Sequence, residues 1–274
     1  MNKIRQVVAL RSLRIVKRSF GEKVQLTGSN NLIAGRVRFY KTVDVKAEDE
    51  GMFGVMLDGR NLKTVQMNRL LVPSEDLAWA IANEWDAQTD KKRGLVPATM
   101  PLTTLASTAI DQIAIDPTLA RDTVLSYLPT DSAVFFTQEH DRLLLEKQKE
   151  LLEPVLEFLN AELGIKLKTT TSMHLKLIQD DSTVKKIKDI VYSMDPHTLS
   201  CLQTATLEYK SILMAMAHVL YGHINAENGR KISRIEEEFQ LEIWGVVEGG
   251  HDMDRLNNAV NLGAIGYYMN LLRN

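Results

Sequence analysis

Acidic residues and one histidine are concentrated between positions 235 and 254, a stretch without lysine or arginine. Glu248, His251 and Asp252 form the one cluster of the sequence in which a carboxylate, an imidazole and a second carboxylate could converge. These three side chains could hold a metal ion, but no nucleophile lies beside them for hydrolysis. A metal- or ligand-dependent enzyme centred on them is one interpretation. A protein-binding surface explains the same residues with fewer requirements.

The remaining sequence contains no established catalytic pattern. A phosphate-binding loop, a dinucleotide-binding glycine pattern, a nucleophile elbow and a zinc-protease helix are all missing from it. No two of its six histidines are spaced four residues apart, as two metal ligands on one helix face would be. His218, in an apolar segment, is predicted to be a hydrogen-bonded core residue, and Cys201 is predicted to be inert. We therefore expect no metal, no cofactor and no catalytic residue.

At helical spacing, the acidic stretch has two faces. One face is apolar and consists of Ile232, Ile235, Phe239, Ile243 and Val246. The second face consists of Glu237, Leu241, Trp244 and Glu248. This pattern fits an acidic helix whose tryptophan packs on a neighbouring element, or a docking face whose aromatic anchor is surrounded by carboxylates. In either case we expect the helix to end at the two glycines 249 and 250.

Composition excludes several classes of protein. The chain has 274 residues, a formal net charge of −2 and one cysteine. The net charge argues against a dedicated nucleic-acid-binding protein, and the single cysteine excludes a disulfide framework and fits a reducing compartment. No apolar run reaches the roughly 18 residues of a membrane-spanning helix, so we expect no membrane span.

The first 21 residues carry six basic side chains and no acidic one: Lys3, Arg5, Arg11, Arg14, Lys17 and Arg18. Apolar residues lie between them, and a basic amphipathic segment without acids is typical of a mitochondrial transit peptide. We predict that residues 1–25 are such a peptide. The alternative is a basic arm that stays on the protein.

Residues 26–95 are predicted to form a small β-rich subdomain. Strand-like runs occupy residues 36–45, 53–57 and 61–67, and Asp58-Gly59 predicts a tight hairpin turn between the last two. Ser74 is expected to cap a helix whose inner face carries Leu77, Ile81, Trp85 and Gln88. Residues 96–274 are mostly helical in pattern, with Asp-Pro helix starts at 116 and 195. The predicted fold class is α+β, with a small antiparallel N-terminal subdomain followed by an all-α domain.

Five segments, in order, carry a resemblance to a known family. They are RFYKTV (38–43), LDGRNLKT (57–64), LVPSEDLAWAIANEWDAQ (71–88), MPLTTLASTAID (100–111) and EEEFQLEIWGVVEGGHD (236–252). In sequence and spacing they resemble the mitochondrial F-type ATP synthase assembly factor that acts as the α-subunit chaperone, together with its α-proteobacterial relatives. The resemblance spans about residues 36–255.

The resemblance implies a function without catalysis: the chain would hold the free α subunit of the ATP synthase catalytic sector in the mitochondrial matrix until the β subunit replaces it. It also implies that the family's essential carboxylates fall within residues 236–252. We expect a monomer that binds its client transiently and binds no nucleic acid. The predicted partner-binding residues are Glu237, Leu241, Trp244, Glu248, His251 and Asp252. Replacing Glu237 or Glu248 with lysine should abolish assembly and leave the fold intact.

Overall fold

The computed structural model describes residues 34–89, 92–138, 141–171, 179–245 and 251–273, and it leaves out the side chains of residues 251 and 252. The predicted transit peptide, residues 1–25, lies outside this range. The described residues pack as one compact unit. The predicted boundary between residues 95 and 96 therefore stays a prediction.

A four-stranded antiparallel sheet opens this unit. Its strands are β1 (Val43–Ala47), β2 (Phe53–Leu57), β3 (Arg60–Asn61) and β4 (Leu71–Val72), and β2 pairs with each of the other three. At the predicted hairpin, Asp58 and Gly59 both have positive φ, 48° and 76°. The expected strand over 61–67 stops after Asn61, and the chain turns back further on, where Met67 has a φ of 67°. The expected strand over 36–45 begins only at Val43.

Helix α1 (Glu75–Asp86) packs against β1 and β2. The hydroxyl of Ser74 caps it by accepting a hydrogen bond from the backbone N–H of Leu77, at 3.3 Å, as predicted. The predicted inner face of α1 is buried along its whole length. The Tyr40 hydroxyl donates to the carbonyl oxygen of Trp85, at 2.6 Å, and ties the segment before β1 to this helix.

The rest of the described chain is mostly helical, which confirms the α+β class. The helices are α2 (Pro101–Thr108), α3 (Thr118–Ser126), α4 (Arg142–Leu163), α5 (Asp181–Tyr192), α6 (Pro196–Tyr209), α7 (Ile212–Val219), α8 (Ala226–Ser233), α9 (Ile235–Trp244) and α10 (His251–Arg273). A π-helical turn, Ala109–Ile113, extends α2. Among the described residues, no helix combines the length and the apolar character that crossing a bilayer requires.

Helix α7 lies at the centre of the core, and all eight of its residues are buried. The carboxylate of the fully buried Asp131 holds its start by accepting a hydrogen bond from the backbone N–H of Leu213, at 3.1 Å. His218 lies on α7 and is hydrogen-bonded to the Tyr209 hydroxyl, with 2.7 Å between Nδ1 and the oxygen. The prediction of a satisfied core histidine is therefore confirmed.

Candidate functional site

Helix α9 contributes few side chains to the core. Ile235 is the one buried residue among its ten, whereas every residue of α7 is buried. The break before α9 lies at Arg234, whose φ of −133° separates it from α8. Because few apolar side chains of α9 are used in the core, its outer face remains open to solvent.

The predicted anchor residues lie at the end of this helix. Trp244 is 78% exposed, Ile243 beside it is also exposed, and Leu241 is half-buried. Burying a tryptophan is strongly favourable, so leaving this one in water forgoes stability that the fold could have used. The interpretation in which Trp244 packs on a neighbouring element therefore does not fit the described chain. Its role in binding a partner stays a prediction.

The predicted end of the helix at residues 249 and 250 is wrong. Helix α9 ends at Trp244, because Gly245 adopts a φ of 84° that a residue with a Cβ rarely takes. The backbone N–H of Gly245 still donates to the carbonyl of Leu241, at 2.9 Å, and completes the last turn. Glu248, predicted on the face of Glu237 and Trp244, lies outside the described residues. The same holds for the side chains of His251 and Asp252.

Two acidic residues of α9, Glu238 and Glu242, form ion pairs with neighbouring helices. The carboxylate of Glu238 accepts hydrogen bonds from Arg230 on α8, at 3.0 Å, and from Arg255 on α10, at 3.1 Å. Glu242 pairs with Lys147 on α4. Ion pairs with α4, α8 and α10 thus hold α9 in place where apolar burial does not.

Glu237, one of the predicted partner-binding residues, also has internal partners. Its carboxylate lies 2.7 Å from the guanidinium of Arg234 and 4.0 Å from Nζ of Lys210. The spacing of three residues between Arg234 and Glu237 is a local signal that the sequence reasoning missed. Lys210 is distant in sequence, and no local spacing could have identified it. A partner that binds Glu237 must therefore compete with these two cations.

The described part of the chain contains no group of three histidine, cysteine or carboxylate side chains that could hold a metal ion. Burial lowers the pKa of His218 to about 4, so this residue is neutral at pH 7. Cys201 is fully buried, and burial raises the pKa of its thiol. Such a thiol is a poor nucleophile, as the sequence predicted.

Known proteins share both the sequence pattern and the fold. A family model described as ATP12 chaperone protein matches residues 37–160, which cover the sheet and helices α1 to most of α4. The mitochondrial atp12 protein of Schizosaccharomyces pombe is 28% identical over 245 residues, covering 83% of this chain and 81% of its own length. The mitochondrial ATP12 protein of Saccharomyces cerevisiae is 26% identical over 269 residues, covering 84% and 82%.

The crystal structure of Atp12 from Paracoccus denitrificans superposes with a TM-score of 0.77 at 29% identity, covering 87% of this chain and 99% of that one. This superposition extends the match beyond residue 160, into the helical region that contains α9. The family model, the two fungal relatives and the bacterial structure all carry the name ATP12. The chain is similar to the ATP12 chaperone proteins in sequence over residues 37–160 and to Atp12 in fold over 87% of its length.

Proposed function

We propose that this protein is a chaperone that binds the free α subunit of the ATP synthase catalytic sector in the mitochondrial matrix and promotes its assembly with β subunits. A subunit destined for an alternating ring exposes a large, partly apolar interface before assembly, and such surfaces aggregate. A chaperone for it needs an apolar contact that covers this surface and can later be given up. The similarity to a family of chaperones and the mitochondrial names of the fungal relatives support this assignment.

The observation that carries the proposal is the exposure of Trp244 at the end of α9. Tryptophan is among the residues that most often dominate the free energy of protein–protein binding. Leu241 lies one turn earlier and adds apolar area beside it. In this account Trp244 enters a pocket on the client, and Leu241 contacts the rim of that pocket.

In this proposal, polar residues around the anchor orient the client on the docking face. Glu237, Glu248, His251 and Asp252 would meet cationic groups or N–H donors of the α subunit. Each exposed ion pair contributes only about 1 kcal/mol or less. For Glu237 the gain is smaller still, because Arg234 and Lys210 already neutralise its charge. Weak pairs of this kind suit a surface that the β subunit must displace.

The test compares two exposed tryptophans. Trp244→Ala removes the proposed anchor, and Trp79→Ala removes a tryptophan on α1 that is 47% exposed. Binding of purified α subunit to the full chain is measured by calorimetry, together with thermal unfolding of each variant. We expect Trp244→Ala to weaken binding at least tenfold, about 1.4 kcal/mol, with little change in melting temperature. Trp79→Ala should bind as the unsubstituted chain does. Equal binding by both variants would contradict the proposal.

A further inference from the structure

A groove of about 600 Å³ runs along the outer side of α10. We call it the α10 groove. One wall is formed by α10 and the other by the start of α2. Its main lining residues are Pro101, Leu102, Leu256, Val260, Ala264 and Tyr267.

Helix α10 is apolar on two sides, and only one side is used by the core. Leu262, Ile265 and Tyr268 are fully buried against the rest of the protein. Leu256, Val260 and Tyr267 line the groove and remain exposed in the described structure. Between Val260 and Tyr267 this wall carries only Gly263 and Ala264, so no large side chain of α10 fills the groove there.

The charges of the groove restrict what it can bind. Among its described lining residues there is no lysine or arginine, and Glu84 is the one acid. The carboxylate of Glu84 accepts hydrogen bonds from the backbone N–H groups of Leu102 and Thr103, at 2.7 and 2.8 Å. It is therefore engaged at the start of α2, and burial raises its pKa. A charged occupant would find no free counter-charge, so the groove suits an uncharged, apolar segment.

The groove continues into the surface beside α9. Asn257 lines it and also lines a hollow of about 280 Å³ whose other walls include Lys210, Arg234 and Glu237. Leu207, an exposed apolar residue of α6, lies in the same hollow. Glu237, which lies on the predicted docking face of α9, thus shares this hollow with Asn257 of the α10 groove.

We infer that the α10 groove binds an uncharged, apolar segment of the same client polypeptide that α9 holds. This inference rests on the proposed function and adds a second contact to it. From Leu256 to Tyr267 the wall extends over about 16 Å, the length of three turns of a helix. A client helix with one apolar face would cover Leu256, Val260 and Tyr267 together. The β subunit would then have to release the client from two neighbouring contacts.

The first test uses two exposed helical leucines. Leu256→Glu places a charge in the groove, and the matched control Leu119→Glu makes the same change on α3; the two leucines are 58% and 73% exposed. We expect Leu256→Glu to weaken binding of purified α subunit at least tenfold and Leu119→Glu to change it less than twofold. If Leu256→Glu binds α subunit normally while Trp244→Ala binds it weakly, the groove inference is overturned and the proposed function is not. An unsubstituted chain that does not bind α subunit overturns the proposed function and this inference together.

The second test does not depend on how Leu256→Glu folds. A photo-activated cross-linking residue replaces Val260 in the otherwise unsubstituted full chain, and α subunit is added. The expected product is a cross-link to an uncharged, apolar peptide of the α subunit, found by mass spectrometry. A cross-link to a second copy of this chain, or within the chain itself, would show a different occupant and overturn the inference. The absence of any cross-link to bound α subunit would do the same.

Discussion

The guanidinium of Arg234 lies 2.7 Å from the carboxylate of Glu237, and the Arg234 side chain is only 12% exposed. A cation so little exposed to water needs a nearby anion, because water solvates it poorly. Glu237 supplies that anion and also faces Lys210 across the hollow. One of the six predicted partner-binding residues therefore also stabilises the fold.

The expected effect of Glu237→Lys changes accordingly. The substitution would place a third cation beside Arg234 and Lys210, and we expect the free energy of unfolding to fall by about 2 kcal/mol. The control is Glu242→Lys on the same helix, where Glu242 and its partner Lys147 are both exposed and the loss should stay below about 1 kcal/mol. Urea unfolding of both variants measures the difference. Equal losses in the free energy of unfolding would mean that the pair of Glu237 with Arg234 stabilises the fold no more than the exposed pair of Glu242 with Lys147.

Close packing of α10 on α7 gives a second prediction. A Cβ atom on Gly266 would lie 2.9 Å from Nε2 of His218, whereas one on Gly263 would meet nothing closer than 3.8 Å, the Cβ of Ala226. We expect Gly266→Ala to lower the free energy of unfolding by about 1–3 kcal/mol through overpacking. Gly263→Ala should raise it by about 0.5–1 kcal/mol, because alanine favours the helix. Chemical denaturation checks both signs, and stabilisation by Gly266→Ala would refute the close contact.

His218 should make the protein sensitive to acid. Burial lowers its pKa from 6.5 to about 4, so the native state binds fewer protons than the unfolded chain between these values. Its contribution to stability is complete above pH 6.5 and is lost as the pH falls towards 4. In His218→Asn this part of the pH dependence should disappear, whatever the absolute stability of the variant. Denaturation midpoints measured from pH 4 to 7 test it, and an unchanged slope would contradict the low pKa.

Asp131 should act in the opposite direction. Burial raises its pKa from 3.8 to about 6, so the native state binds more protons than the unfolded chain in this window. The contribution of Asp131 to the free energy of unfolding is complete below pH 3.8 and is lost as the pH rises to 6. Asp131→Asn should therefore leave the His218 effect unopposed, and stability should rise more steeply from pH 4 to 6 than in the unsubstituted chain. A flatter profile would show that Asp131 is ionised in the native state.

The segments that carry the family resemblance are mostly explained by packing. Arg38 of the first segment pairs with Asp86 of the third, at 2.8 Å. Thr64 of the second donates to Asp111 of the fourth, at 2.6 Å, and joins the loop between β3 and β4 to the π-helical turn after α2. These contacts position the sheet on the helices. The fifth segment differs, because its Trp244 is 78% exposed in the described fold.

The sequence by itself determined the local features of this protein. The positive φ angles at Asp58 and Gly59, the Ser74 cap and the buried face of α1 depend on residues within a few positions of one another, and each was predicted. Their physical causes, such as steric limits on φ and side-chain capping of free N–H groups, act over one or two turns of chain.

Only the tertiary structure decided which surfaces remain open. Neither the end of α9 at Gly245 nor the pairing of Glu237 with Lys210 followed from the pattern of the acidic stretch. The two apolar sides of α10 look alike in sequence, and packing covers one of them and leaves Leu256 and Val260 exposed. Burial and ion pairing depend on groups brought together from distant parts of the chain, so local spacing does not contain this information.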